Sequence, residues 1–214
     1  MKSPRRHRPL VVLVTLGAVI ATGLALLAGP AAAKDARTEI SKKVVVAGKA
    51  LEASDQIAST DDPAIGKVAP KITGQGFDGR KVSIGGPGKP RIVVFAAHWC
   101  PHCQREVPRI VKLAEQGKLD GVEVDTVTTA TDSNADNYPP SKWLSREEWP
   151  FKTVLADDAD QRALIAYGGT AYPFFVFLDA NGKVVGRASG ELEPRTIAAA
   201  AKNLAAGKSV FASS

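Results

Sequence analysis

Cys100 and Cys103 are the only cysteines in a chain of 214 residues, and they lie within Trp99-Cys100-Pro101-His102-Cys103. Two thiols at this spacing can close on one another and reopen, so the chemistry they suggest is thiol–disulfide exchange. A purely structural staple explains them poorly, because so short a loop constrains the unfolded chain little. Cys100 is the expected nucleophile: it stands at a predicted helix N-terminus, where unpaired N–H groups and the helix dipole favour a thiolate. Pro101 suits the first helical position, where an N–H would have no partner anyway. His102 can donate to the same sulfur or place positive charge near it. Cys103, one turn further in, is the expected resolving thiol. His98 borders the pair and reads more simply as a surface histidine without a role.

The elements that must hold this pair are legible on both sides. Arg91-Ile92-Val93-Val94-Phe95-Ala96 is apolar along its length, as expected of a central strand covered on both faces. Val107, Ile110, Val111 and Ala114 then recur at helical spacing, and Gly117 marks a stop. Upstream, Lys71-Ile72-Thr73 and Lys81-Val82-Ser83-Ile84 flank an Asp78-Gly79 turn and predict a hairpin. Downstream, residues 122–129 alternate as a strand. A short inserted helix carrying two of the three tryptophans, Trp143 and Trp149, follows Tyr138-Pro139-Pro140, and Ser141 is its expected N-cap. Next come a short strand near Val154, a helix over 158–167, and Tyr172-Pro173 leading into Phe174–Leu178. Asn181-Gly182 turns that strand into a second hairpin, and a last helix runs from Glu193-Pro194 to Ala206.

Composition narrows the setting. With 44% hydrophobic and 23% charged residues the chain is globular in character. Its net charge of +6 comes mostly from Lys2, Arg5, Arg6 and Arg8, and beyond them the charges nearly balance. A nucleic-acid surface is therefore not expected. Residues 10–29 carry no charge and would make a helix of about 30 Å, enough to cross a bilayer core. That length favours an uncleaved membrane anchor, whereas Ala31-Ala32-Ala33 favours a cleaved signal. In either case the basic tail, residues 1–9, stays cytoplasmic and the remainder is extracytoplasmic. Residues 30–65 read as a linker, 66–207 as the folded domain and 208–214 as a tail. In an exported chain a lone dithiol avoids scrambling with other cysteines.

The ordered set of strand, Trp-Cys-x-x-Cys, helix, strand, helix, x-Pro, hairpin and helix resembles the thioredoxin fold. It is most similar to the extracytoplasmic TlpA/ResA-like branch, on Gly66-Lys67-Val68-Ala69-Pro70, Asp78-Gly79-Arg80 and the run from Cys103 through Glu106 to Pro108. The resemblance covers about residues 66–207. It implies an α/β domain with a central mixed sheet flanked by helices, an N-terminal hairpin extension and a short helical insert. It also implies a cis bond between Tyr172 and Pro173 beside the dithiol, a rim formed by Trp99 and Tyr172, and a Glu106 that tunes or relays the Cys103 proton. A solvated helix carboxylate is the plainer reading of Glu106. Two departures stand out: Val94 occupies the position where ordinary thioredoxins bury an acid, and Pro101-His102 is the pair found between the cysteines of DsbA-type oxidants.

The expected function is an extracytoplasmic thiol–disulfide oxidoreductase using its Cys100–Cys103 disulfide and no other cofactor or metal. Its partners would be cysteine-containing exported proteins, with a membrane redox partner to reset the pair. Oxidation of clients is favoured over the alternative, reduction of disulfides such as those of apocytochrome c. The rival from another class is a copper-handling module built on Cys100, Cys103, His98 and His102, all soft or borderline ligands.

Overall fold

The structure, a computed structural model, describes residues 38–56 and 58–211. The proposed membrane segment, residues 10–29, and the basic tail lie outside the described residues. Among the described residues no helix is long and apolar enough to cross a membrane.

The apolar run at the centre of the sequence becomes β4 (Arg91–Ala96), every residue of which is buried except the half-buried Arg91. It lies between β5 (Glu123–Thr128), which it pairs in parallel, and β7 (Phe174–Leu178), which runs antiparallel to it. Successive side chains leave opposite faces of a strand, and the core divides accordingly. Val93 and Phe95 join Phe174, Val176 and Tyr167 on one face, whereas Ile92 and Val94 join Phe175 and Phe177 on the other. The second face is covered by α1 (Pro101–Glu115) and α4 (Pro194–Ala205), through Ile110, Leu113, Ile197 and Leu204. β8 (Val184–Ser189) completes the hairpin with β7.

Two parallel strands joined by α1, followed by an antiparallel hairpin and a closing helix, give the order β5-β4-β7-β8 of a thioredoxin-like α/β fold. The predicted N-terminal hairpin is present as β2 (Lys71–Gln75) and β3 (Lys81–Ile84), with Ile72 opposite Ile84. β6 (Val154–Ala156) pairs with β5 and links it to β2, so the mixed sheet is continuous. Between β5 and β6 lies the predicted insert, α2 (Pro140–Arg146), and α3 (Arg162–Ala166) follows β6.

The stretch read as a linker differs from expectation, because from residue 38 onward it is laid against the domain. β1 (Val45–Ala47) pairs with β2, Val44 and Leu51 are buried, and the backbone of Leu51 and Ser54 bonds to Ala166 and Gly168. Asp62 forms a double hydrogen bond with Arg187 at 2.6 and 2.7 Å, and both side chains are buried. Burial alone would raise the Asp62 carboxyl, but the Arg187 guanidinium and the Ala64 N–H hold it below its ordinary value. Arg187 also donates to the carbonyls of Glu52 and Tyr167. The chain can pass this clamp only as glycine at 168, where φ is +77° and a Cβ would stand 2.2 Å from the Glu52 oxygen. A polar composition concealed this packing because the partners lie far away in sequence.

Ser141 also differs from its expected place. The N-cap of α2 is Pro139, and Ser141 sits inside the first turn. Its N–H and hydroxyl donate to the Glu39 carboxylate at 2.9 and 2.5 Å, so a distant acid caps the helix.

Candidate active site

Cys100 is the residue at which the extended chain becomes helix: it is the N-cap of α1, with φ −74° and ψ 121°. Pro101 occupies the first helical position without losing a bond. Cys100 is 6% exposed and Cys103 fully buried, and both thiols are free. Beneath them Ala96, Ala97, Val107, Trp143 and Leu144 form a small apolar cluster. The insert therefore floors the site: Trp143 packs into this cluster, and Trp149 donates its indole N–H to Thr126.

The two sulfurs have opposite acidities. The Cys100 thiol is pulled down to about 5, chiefly by the hydrogen bond from the Cys103 thiol, against the opposing effect of burial. The backbone N–H groups of Cys103 and His102 and the charge of His102 assist. Cys103 is pushed well up, first by burial and then by its bond to Cys100, although the Ala97 N–H donates to its sulfur at 3.4 Å. One sulfur is thus set to carry charge at neutral pH and the other to hold a proton.

Opposite Cys100, the Tyr172–Pro173 bond is cis, and the Tyr172 carbonyl oxygen lies 3.5 Å from the Cys100 sulfur. Trp99, 37% exposed, stands edge-on to Tyr172 with ring centres 5.9 Å apart. Its indole N–H donates to the Ala130 carbonyl at 2.7 Å. Trp99 and Tyr172 thus form an aromatic rim beside the nucleophile.

Two residues are not where the plainer sequence readings put them. His98 is fully buried rather than at the surface. Its Nδ1 lies 2.7 Å from the Asp136 carbonyl, and its Nε2 accepts from the Asp132 N–H at 3.3 Å. That pattern needs a donor on one ring nitrogen and an acceptor on the other, and it latches the 130–137 loop to the strand end. Glu106 is 1% exposed rather than solvated. Burial pushes its carboxyl up to about 6, against hydrogen bonds from the Leu192 N–H at 3.1 Å and Arg109 at 3.3 Å.

A third wall was not foreseen. Gly190 donates to the Pro173 carbonyl and Leu192 to Glu106, while Glu191 between them gathers three side chains of α1. His102 Nδ1 lies 2.6 Å from Glu191, Arg105 Nη2 2.5 Å and Arg109 Nη1 2.8 Å. The Arg105 hydrogen bond, helped by His102 and Arg109, pulls the Glu191 carboxyl down to about 2. The available signal was an acid in the turn between the last strand and helix, at the same sheet end as the dithiol. Among the described residues, no group of three or more His, Cys, Asp or Glu converges to hold a metal. Both ring nitrogens of His98 are already engaged by backbone.

Comparison with known proteins agrees with this geometry. The chain is 27% identical over 135 residues to the thiol-disulfide oxidoreductase ResA of Bacillus thuringiensis (strain Al Hakam), covering 63% of this chain and 75% of that protein. It is 31% identical over 103 residues to the thiol:disulfide interchange protein DsbE of Pseudomonas aeruginosa, covering 46% of this chain and 52% of that one. The crystal structure of an uncharacterized conserved protein from Geobacillus kaustophilus shares the fold, with a TM-score of 0.56 and 24% identity. That match covers 73% of this chain and 89% of the other. The Redoxin family model matches residues 64–204, a span that contains both cysteines and the cis proline, and the chain therefore belongs to the Redoxin family as a thiol–disulfide oxidoreductase.

Proposed function

We propose that this enzyme works outside the cytoplasm, exchanging its Cys100–Cys103 disulfide with the thiols of exported proteins in the oxidising direction. The observation that carries this reading is the placement of the two sulfurs: Cys100 stands at the helix N-cap with donors around it and Cys103 is fully buried behind it, which sets their acidities apart. A client thiolate attacks the Cys100 sulfur, the Cys100–Cys103 bond breaks, and Cys103 leaves with the electron pair and takes up a proton. The client's second thiolate then attacks its own sulfur in the mixed disulfide and releases Cys100 as a thiolate. The client loses two electrons and the enzyme dithiol gains them.

A nucleophile lowered to about 5 is favoured as the thiolate at pH 7 by about 3 kcal/mol over an unshifted thiol. That stabilises the reduced pair and raises its potential by about 60 mV. Pro101 and His102 contribute by position, Trp99 and Tyr172 as the client-facing rim, and Pro173 by presenting the Tyr172 carbonyl. Glu106, one turn beyond Cys103 on the same buried face, takes and returns the Cys103 proton. A membrane redox partner restores the disulfide, and residues 10–29 keep the domain at the membrane.

A second reading, reduction of client disulfides such as those of apocytochrome c, is favoured by one observation. Glu106, buried one turn beyond Cys103, would take the proton that Cys103 must lose when it attacks a mixed disulfide. The copper-handling alternative would rest on the two thiols with no third converging ligand among the described residues.

The test measures the potential of the purified protein alongside exchange with a peptide dithiol. Loss of exchange in Cys100→Ser, with accumulation of the mixed disulfide in Cys103→Ser, is expected, together with a potential well above the roughly −270 mV of thioredoxin. Full exchange by Cys100→Ser would refute the reading. A potential at or below that of thioredoxin would assign the reductase direction.

A further inference from the structure

A continuous chain of polar contacts joins the neighbours of the two sulfurs. His102, beside Cys100, meets Glu191; Glu191 meets Arg109; Arg109 meets Glu106, beside Cys103. One nitrogen, Arg109 Nη1, serves both carboxylates, at 2.8 Å from Glu191 and 3.3 Å from Glu106. The half-buried acid therefore has the shorter bond to the cation that the fully buried acid needs.

We propose that Glu191 is a positioning residue which, by drawing Arg109 toward itself, leaves Glu106 only partly neutralised and so able to exchange a proton with Cys103. This rests on the thiol–disulfide reading of the site. A buried carboxylate fully engaged by a guanidinium remains ionised and is a poor proton carrier; one with no cation remains protonated. Sharing Arg109 holds Glu106 between these limits. In the step concerned, the Cys103 thiol gives its proton to the Glu106 carboxylate. The Cys103 sulfur then attacks the Cys100 sulfur of the mixed disulfide, and the Cys100–client bond breaks to release the client as thiolate. In the oxidising direction the same proton returns to Cys103.

The groups facing Glu106 are Cys103 and Arg109 on its own helix, and Glu191 and the Leu192 N–H on the β8–α4 turn. Arg105 and His102 make their carboxylate contacts with Glu191. Gly190 and Leu192 anchor this turn to Pro173 and Glu106, which fixes the Glu191 carboxylate over α1.

The test titrates the Glu106 side-chain carboxyl by carbon NMR in the reduced full-length chain, comparing wild type with Glu191→Gln, Arg109→Gln and the double variant. Glu191→Gln should lower the Glu106 midpoint by at least threefold in proton affinity, because Arg109 then turns wholly to Glu106. Arg109→Gln should raise it. In the Arg109→Gln background, adding Glu191→Gln should have little further effect. An unchanged midpoint in Glu191→Gln, or an equal fall with and without Arg109, would overturn the inference. Glu191→Asp should restore the wild-type midpoint, and thermal unfolding of each variant separates this effect from loss of fold. Exchange measured on the same samples distinguishes the two failures: an active wild type with an unresponsive Glu106 sinks this inference alone, and a responsive Glu106 in an inactive protein sinks the assigned function alone.

Discussion

The Cys100 sulfur lies 3.5 Å from the carbonyl oxygen of Tyr172, the residue that precedes the cis proline. As a thiol, Cys100 donates to that oxygen; as a thiolate it has nothing to donate and turns to the N–H groups at the helix start. Alkylation of Cys100 should therefore accelerate with a midpoint near pH 5, its lowered thiol value. His102→Ala should move the midpoint up and slow alkylation at pH 5, since it removes positive charge beside the sulfur. An unmoved midpoint would show that the backbone donors and Cys103 suffice.

Trp143 is 1% exposed and lies in the cluster beneath both cysteines. Trp143→Ala should lower stability by about 3–5 kcal/mol in denaturant unfolding. It should also make Cys103 more reactive, because burial is the first cause of that thiol's raised pKa. Trp143→Phe should retain most of both properties.

Removing the carboxylate of Asp62 strands the buried Arg187. Asp62→Ala should lower stability by about 3–5 kcal/mol at neutral pH. The folded carboxyl is held below its ordinary value, so its contribution is present above about pH 3.8 and is lost as pH falls through the folded value. The gap between wild type and variant should accordingly close on acidification, which unfolding curves at several pH values would measure.

Glu106 has the opposite sign. Its folded value is raised from 4.5 to about 6, so its stabilising contribution is complete below pH 4.5 and is lost as pH rises through 6. Glu106→Gln, which can still accept from the Leu192 N–H, should match wild type near pH 4 and exceed it by about 2 kcal/mol near pH 7. The same variant should exchange disulfides more slowly, so a gain in stability accompanied by a loss of rate is the expected pair of results.

What could be read in the sequence follows the range of the signals. The strand Arg91–Ala96, the helix starting at Pro101, both hairpins and the Tyr172-Pro173 junction all announce themselves over a few adjacent residues. The parts that escaped are made by partners far apart. Glu39 caps a helix 102 residues away, Asp62 meets Arg187 over 125 positions, and Glu191 reaches Arg105 over 86. His98 escaped for a related reason. A polar ring beside an active pair looks exposed until the loop that buries it is folded over it, and the bonds from Asp132 and Asp136 come from that loop. Charge and polarity count as surface signals only when no distant partner is available, and this chain has several.

The slight exposure of Cys100 sets a condition on what can reach it. Cys100 is 6% exposed and has the Tyr172 carbonyl beside its sulfur, and attack on sulfur needs an approach in line with the bond being broken. On the proposed function, a cysteine on a slack, extended strand would reach so little-exposed a sulfur more readily than one fixed on the rigid face of a finished protein. Clients would accordingly be met early, while their chains are still being shaped.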